Sequence, residues 1–482
     1  MGTYSKVITR RSFIRKTAIG GAVFSSATRG IANAVDRRRR YVIVGTGSRC
    51  RIFQNAIEQH YREDAVLVGL CDANPGRLHR AAAKSVALGL DAPETALPDG
   101  FEKLLKRTRA THVIVTTVDS THDEYIVRSL ESGCDVVTEK PMTTTASKVM
   151  RIQEAVTRTG GNVRVTFNYR YMPARSQVKE LLMAGKIGDV LSVNFQWLLN
   201  THHGADYFRR WHGEKKYSGG LMVHKATHHF DLVNWWLGAN PVSVFAVGKR
   251  EFYTPAMAKR LGLKRYHERC LTCPEASSCS FRLDLKARPR LKSLYLDHEH
   301  HDGYHRDRCV FHPRIDIEDT MNVIVNYDTK ATLNYTLNAF NSWEGYRIAF
   351  NGTKGRLEHA NEENIYVSGT DDVQGATKRS GLKLRLIPLR GAAIDIEARE
   401  GEGGHGGGDR AMLDELFLAE PRHDPLGRAS DARGGAASVL VGAAANECIR
   451  TGMPVQLDDL APGWNRPEHL PMPNRSYPLT MP

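Results

Sequence analysis

Three groups of residues in this chain have the types and spacing to do chemistry. The first is Glu139-Lys140-Pro141, which closes the β-branched run Val136-Val137-Thr138. Proline cannot donate to a strand ladder, so a strand has to stop there. In a parallel sheet the carboxyl ends of strands face the ligand crevice, which would put Lys140 at the mouth of a cofactor site. In isolation the same triplet reads as a lysine at a surface strand end. The second group is His224-Lys225-Ala226-Thr227-His228-His229-Phe230-Asp231. On one continuous helix His224 and His228 stack, with Asp231 one turn on. That spacing suits a metal pair, core or capping histidines, or a histidine that moves a proton near neutrality. The third group is Cys270-x2-Cys273-x5-Cys279, followed by Cys309. Thiolates so spaced suit zinc or an iron–sulfur centre. Two disulfides in an exported protein, or free thiols, are the alternatives. In each case the expected job is to staple a long insertion, residues 251–314. Cys50, Cys71, Cys134 and Cys448 read as small buried hydrophobes.

The elements that must hold these groups follow in chain order. Tyr41-Val42-Ile43-Val44 is a buried strand that runs into Gly45-Thr46-Gly47-Ser48-Arg49-Cys50 and then a helical pattern through His60. Gly45 allows the tight turn, and Gly47 lets a pyrophosphate approach the backbone at a helix N-terminus. Cys50 stands where the fingerprint has its third glycine. The strand Ala65 to Cys71 ends in Asp72, where an acid binds ribose hydroxyls and favours NAD. Arg49 and Arg77 nearby keep NADP open. Helices at 99–106, 121–131 and 146–158 alternate with strands at 112–117, 136–138 and 163–167, which predicts a doubly wound parallel sheet.

From Asn168 the texture changes. A helix (176–183), a long strand (190–199) and a polar, aromatic loop (200–220) holding His202, His203, Tyr207, Trp211 and His212 precede the histidine helix. Alternating segments at 322–325, 331–337 and 346–350, joined by turn signals, predict an open, mainly antiparallel sheet. The expected fold is therefore α/β, with residues 35–167 as a Rossmann domain and 168–482 as an α+β substrate and oligomerisation domain. An alanine-rich helix (436–450) comes late.

At 482 residues the chain is long for a single core. Thr9-Arg10-Arg11-Ser12-Phe13-Ile14-Arg15-Lys16, an apolar stretch and Ala32-Asn33-Ala34 read as a twin-arginine export signal over residues 1–34. That predicts a periplasmic or exported protein handled by the twin-arginine machinery, without stable membrane insertion. The formal net charge is +14, and six of the basic residues lie in that leader with no acid. Apart from Arg37 to Arg40, which reads as a solvated leader to the first strand, the remaining charges are interspersed and a nucleic-acid role is only weakly supported.

Taken together the motifs resemble the glucose–fructose oxidoreductase / inositol dehydrogenase (Gfo/Idh/MocA) family. The resemblance rests on Gly45 and Gly47, on Thr116-Thr117 through His122, and on Glu139-Lys140-Pro141. Asn168-Tyr169-Arg170-Tyr171, Gly219-Gly220 and His228 with Asp231 follow in order. It covers roughly 41–360 and the final helix. It implies a nicotinamide-dependent oxidoreductase acting on a secondary hydroxyl of a sugar or polyol, and by analogy a homo-oligomer. Lys140 would sit at the reacting oxygen, with His228 as proton carrier and His224 beside it, where many members carry an aspartate. Gly45, Gly47, Ser48, Arg49, Asp72, Thr117, His122, Glu139 and Lys140 would hold the cofactor. Tyr169, Arg170, His202, Trp211 and Asp231 would line the substrate pocket. His405 and Asp409, beside the run Gly403 to Gly408, are further candidates. Some relatives use NAD transiently to cleave glycosides by oxidation and elimination, which is the alternative reaction. A sugar-binding protein on the same fold is a third reading, opposed by the intact Lys140 and His228.

Overall fold

The computed structural model describes residues 37–420 and 422–473; the expected export signal lies outside them. Six strands form one parallel sheet: β1 (Arg39–Val44), β2 (Ala65–Cys71), β3 (Glu94–Ala96), β4 (His112–Val115), β5 (Asp135–Thr138) and β6 (Val163–Val165), in the order β3-β2-β1-β4-β5-β6. The apolar residues of β1, β4 and β5 are buried without alternation, because helices cover both faces of this sheet. β1 and β4 are the strands at which the order reverses, so the ligand crevice opens at their carboxyl ends.

The second sheet has nine strands: β7 (Val190–Asn200), β8 (Pro241–Lys249), β9 (Thr320–Tyr327), β10 (Thr332–Asn341), β11 (Gly345–Gly352), β12 (Gly355–Glu362), β13 (Lys383–Pro388), β14 (Ile394–Ile396) and β15 (Val455–Gln456). Their order is β14-β13-β12-β11-β7-β10-β9-β8-β15, antiparallel except for the β7–β10 pair. β9 alternates buried and open positions, as expected of a sheet with one covered face. The predicted α/β architecture, a parallel sheet followed by an open and mainly antiparallel one, is the observed one.

Helix Ala432–Thr451 locks the two sheets together. Asp431 caps it by accepting from the backbone of Arg433 and Gly434, and Gly452 ends it in the left-handed region. It packs against both β8 and the Rossmann helix Ala146–Thr159. At Gly442 the backbones come so close that a Cβ would stand 2.5 Å from the Met222 carbonyl oxygen. Helix Gly408–Phe417 returns to the Rossmann side, where Phe417 packs on Tyr41 and Tyr61.

Two local expectations are corrected. The predicted loop 200–220 is largely helical: Thr201–Arg209 and Lys215–Ser218 are helices, the first capped by the Asn200 side chain. The predicted histidine helix is two helices, Gly220–His224 and Thr227–Leu237. The amide of His228 donates to Lys225, three residues back, and the His224 carbonyl accepts from Lys140 Nζ at 3.0 Å instead. The helical repeat is broken between the two histidines, so they do not stack.

Candidate active site

A cavity of about 530 Å³ runs from the glycine turn after β1 to the end of helix Gly220–His224. Its Rossmann wall is built by strand ends. Asp72, after β2, accepts from Thr46 N at 2.5 Å and from Asn74 N at 2.7 Å. Glu139, after β5, pairs with Arg49 of the glycine turn at 2.7 Å. His122 bridges the carbonyls of Pro141 and Thr117, which fixes the ends of β4 and β5 relative to each other.

The residues present fit a dinucleotide. A Cβ on Gly47 would meet nothing nearer than the Tyr295 hydroxyl at 4.0 Å, so the glycine leaves open room on the cavity side. Ser48 Oγ is buried without a hydrogen-bond partner. Gly45, with φ +91°, lies so close to the backbone of Thr116 and Thr117 that a side chain there would stand 2.6 Å from it. Asp72 lies at the far end with Arg77, whose Nη2 is 3.4 Å from it and 2.5 Å from Asp302.

At the other end three groups converge. Lys140 lines the cavity, and burial pushes its ammonium down to about 8 against the attraction of Asp119. Asp119, 3 % exposed, is hydrogen-bonded to His224 Nδ1 at 2.5 Å. Burial raises the Asp119 carboxyl well above the usual carboxylate range. It lowers His224 well below the usual histidine range, helped by Lys140 and Arg210. With Asp119 ionised and accepting Nδ1–H, the neutral ring would keep its Nε2 lone pair free.

Of the residues expected at the site, Gly45, Gly47, Ser48, Arg49, Asp72, Thr117, His122, Glu139, Lys140, His224, Tyr169 and Trp211 line this cavity. His405 does too, its left-handed backbone (φ 47°) set by the surrounding glycines and its ring 3.0 Å from Asp409. His228 lies one layer deeper: its ring stacks on Tyr169 at 4.0 Å, and Arg175 stands over the same tyrosine at 4.1 Å. Arg170 and Asp231 form a buried bidentate pair, at 2.8 Å and 2.5 Å, away from the cavity wall. His202 points to solvent, and its neighbour His203 takes the wall position, hydrogen-bonded to Glu344.

Sequence reasoning missed Asp119, Asp206, Arg210 and Lys225 as wall residues, together with Tyr295 and Tyr304 of the insertion. For Asp119 a signal existed, since it lies in the short connection between the end of β4 at Val115 and the helix that starts at His122. The insertion contributes to the site because Tyr295 accepts from Ser48 N at 3.3 Å and Asn74 donates to the His298 carbonyl at 2.9 Å.

The expected metal centre in the insertion is not found. All four cysteines are free of disulfides and line one small cavity, and among the described residues no three His, Cys, Asp or Glu side chains stand where they could hold one ion. The stapling is done by other means. Arg269 bonds Glu299 at 2.8 Å and Asp307 at 2.8 Å, and Leu283, Leu285, Leu291 and Leu294 form a satellite core. No helix among the described residues is long and apolar enough to cross a membrane.

A switch-point cavity that joins a glycine turn and Asp72 to Lys140, His224 and Asp119 fits the class of nicotinamide-dependent oxidoreductases. The description "Oxidoreductase family, NAD-binding Rossmann fold" matches residues 39–167, and "Oxidoreductase family, C-terminal alpha/beta domain" matches 179–457. The chain belongs to the Gfo/Idh/MocA family. It is 37% identical over 433 residues to YteT of Bacillus subtilis (strain 168), covering 88% of this chain and 98% of that one. It is 34% identical over 211 residues to an inositol 2-dehydrogenase of Gluconacetobacter diazotrophicus, covering 43% of this chain and 57% of that enzyme. Among solved structures, the WlbA dehydrogenase of Chromobactrium violaceum in complex with NADH and UDP-GlcNAcA aligns with TM-score 0.59 at 19% identity, over 88% of this chain and 96% of that one.

Proposed function

We propose that this protein oxidises a secondary hydroxyl of a sugar or polyol, with NAD as the preferred cofactor. The observation that carries the reading is the Asp119–His224 hydrogen bond beside Lys140, at the opposite end of one cavity from Asp72. Bound NAD would supply the hydride acceptor. The chain's part is to hold the hydroxyl and take its proton. Lys140 donates a hydrogen bond to that oxygen and stabilises its developing charge. His224, oriented by Asp119, accepts the proton at Nε2. The stack of His228 on Tyr169 holds that tyrosine against the cavity.

Asp72 and Asp302 flank Arg77 and disfavour a 2′-phosphate, which supports NAD over NADP. Export by the twin-arginine route, with nucleotide bound, belongs to the same proposal and is supported by Arg10, Arg11 and the pattern around them. A homo-oligomer is supported by the family relationship.

The test is nicotinamide absorbance of the purified protein supplied with NAD and a panel of sugars, polyols and glycosides. Stoichiometric NADH with a keto product is the expected result. Release of aglycone with no net NADH would overturn net oxidation in favour of transient oxidation and elimination.

A further inference from the structure

At the wall of the cavity between Lys140 and the insertion, two arginines share one buried carboxylate. Asp206 is 2 % exposed and is shared by two guanidiniums: Arg306 Nη2 at 2.6 Å from one oxygen, and Arg210 Nη1 at 3.5 Å from the other. Arg306 is fully buried, and its Nε and Nη1 have no hydrogen-bond partner; neither has Arg210 Nε. Buried guanidinium donors left unpaired are costly, and two such groups on one carboxylate leave charge in excess. Arg210, Asp206 and Tyr304 all line the cavity, with the tyrosine hydroxyl beside the Arg210 guanidinium. Arg210 is also near enough to Asp119 and His224 to act on both electrostatically. A group bound at Arg210 would lie in the same cavity as the hydroxyl held by Lys140.

We propose that Arg210, backed by Arg306 and Tyr304, is an anion subsite that selects a sugar carrying a carboxylate. The proposal rests on the reading of this cavity as the substrate site. A guanidinium on the cavity wall matches a carboxylate in shape and charge. The insertion supplies Arg306 and Tyr304, so it takes part in choosing the substrate as well as in closing over the glycine turn.

Calorimetric titration of the NADH-loaded protein tests this. The probes are D-glucuronate and D-galacturonate, their neutral hexoses, and the hexose 6-phosphates. At least one hexuronate should bind about tenfold or more tighter than its neutral counterpart, the worth of one charge-assisted hydrogen bond. Arg210→Gln should abolish that preference while NADH affinity changes by less than about twofold. Tyr304→Phe, a milder change, should reduce it in the same direction. Equal binding of acidic and neutral sugars overturns the subsite alone. A preference for the phosphates overturns the carboxylate assignment. A loss of NADH affinity in Arg210→Gln with the sugar preference intact assigns the donors to the dinucleotide pyrophosphate and overturns it too. Binding of none of these sugars by protein that still takes NADH overturns the proposed function and the subsite with it.

Discussion

Lys140 Nζ donates to the backbone carbonyl of His224 at 3.0 Å, across the crevice between the two domains' strands and helices. That carbonyl would otherwise receive the amide of His228 and continue the helix. The contact therefore does two things. It fixes the ammonium of a buried lysine, and it separates His224, on the cavity wall, from His228, stacked behind Tyr169.

The two histidines should accordingly fail in different ways. His224→Asn removes the proposed proton acceptor and should lower kcat by about 10²–10⁴-fold with NAD affinity intact. His228→Asn removes a stacked ring and should lower stability by about 1–3 kcal/mol, with a much smaller effect on kcat. Urea denaturation and steady-state kinetics read the two effects separately. The reverse pattern would assign the proton to His228.

The rate of oxidation should fall as pH rises through about 8. Burial lowers Lys140 from the ordinary lysine value to that point, and the form that stabilises the developing oxyanion is the one lost above it. His224 is held well below the ordinary histidine value, so it stays neutral at pH 7 and the acid limb lies below the usual histidine range. Lys140→Arg cannot lose its proton in this range. Its residual activity should show no alkaline limb in a pH–kcat profile.

Cofactor choice should respond to Asp302. This carboxylate holds Arg77 Nη2 at 2.5 Å and keeps it from a 2′-phosphate. Asp302→Ala should raise the NADP-to-NAD affinity ratio by about tenfold, the worth of one charge-assisted hydrogen bond at a partly exposed site. Fluorescence titration with both cofactors measures it; an unchanged ratio would remove Asp302 from the account.

Arg170 and Asp231 should behave as structure. Their side chains are 9% and 1% exposed, and burial raises the Asp231 carboxyl although Arg170 opposes it. Arg170→Ala should cost about 3–5 kcal/mol, because it strands a buried carboxylate. Denaturation measures the loss. Unchanged stability combined with lost sugar affinity would return the pair to the substrate site.

The Rossmann half was largely legible in the sequence, because its strands are continuous apolar runs whose carboxyl ends line the cavity. Gly45, Asp72 and Lys140 each sit at such an end. The second half was less so. Nothing in the periodicity of 220–237 shows that a lysine distant in sequence takes the His224 carbonyl, and that contact decides which histidine faces the cavity. The run 200–220 is rich in His, Tyr and Gly, which reads as loop, yet tertiary packing and the Asn200 cap make it helical. Arg170 looked like a pocket residue because its charge was visible and its partner one domain element away was not. In the insertion the cysteine spacing pointed to a metal, whereas Arg269 and a leucine cluster tie the segment down. Its docking on Ser48, Asn74 and Arg77 is a long-range contact with no local signature.

Whether this cavity is the active site is tested by comparing wild type, Lys140→Ala and Asp119→Asn for NAD binding and NADH formation on the same accepted sugar or polyol. All three should bind NAD with similar affinity. Only wild type should turn over at full rate, with Lys140→Ala and Asp119→Asn each reduced by about 10²-fold or more. Undiminished turnover in Lys140→Ala would contradict the assignment of this cavity as the active site.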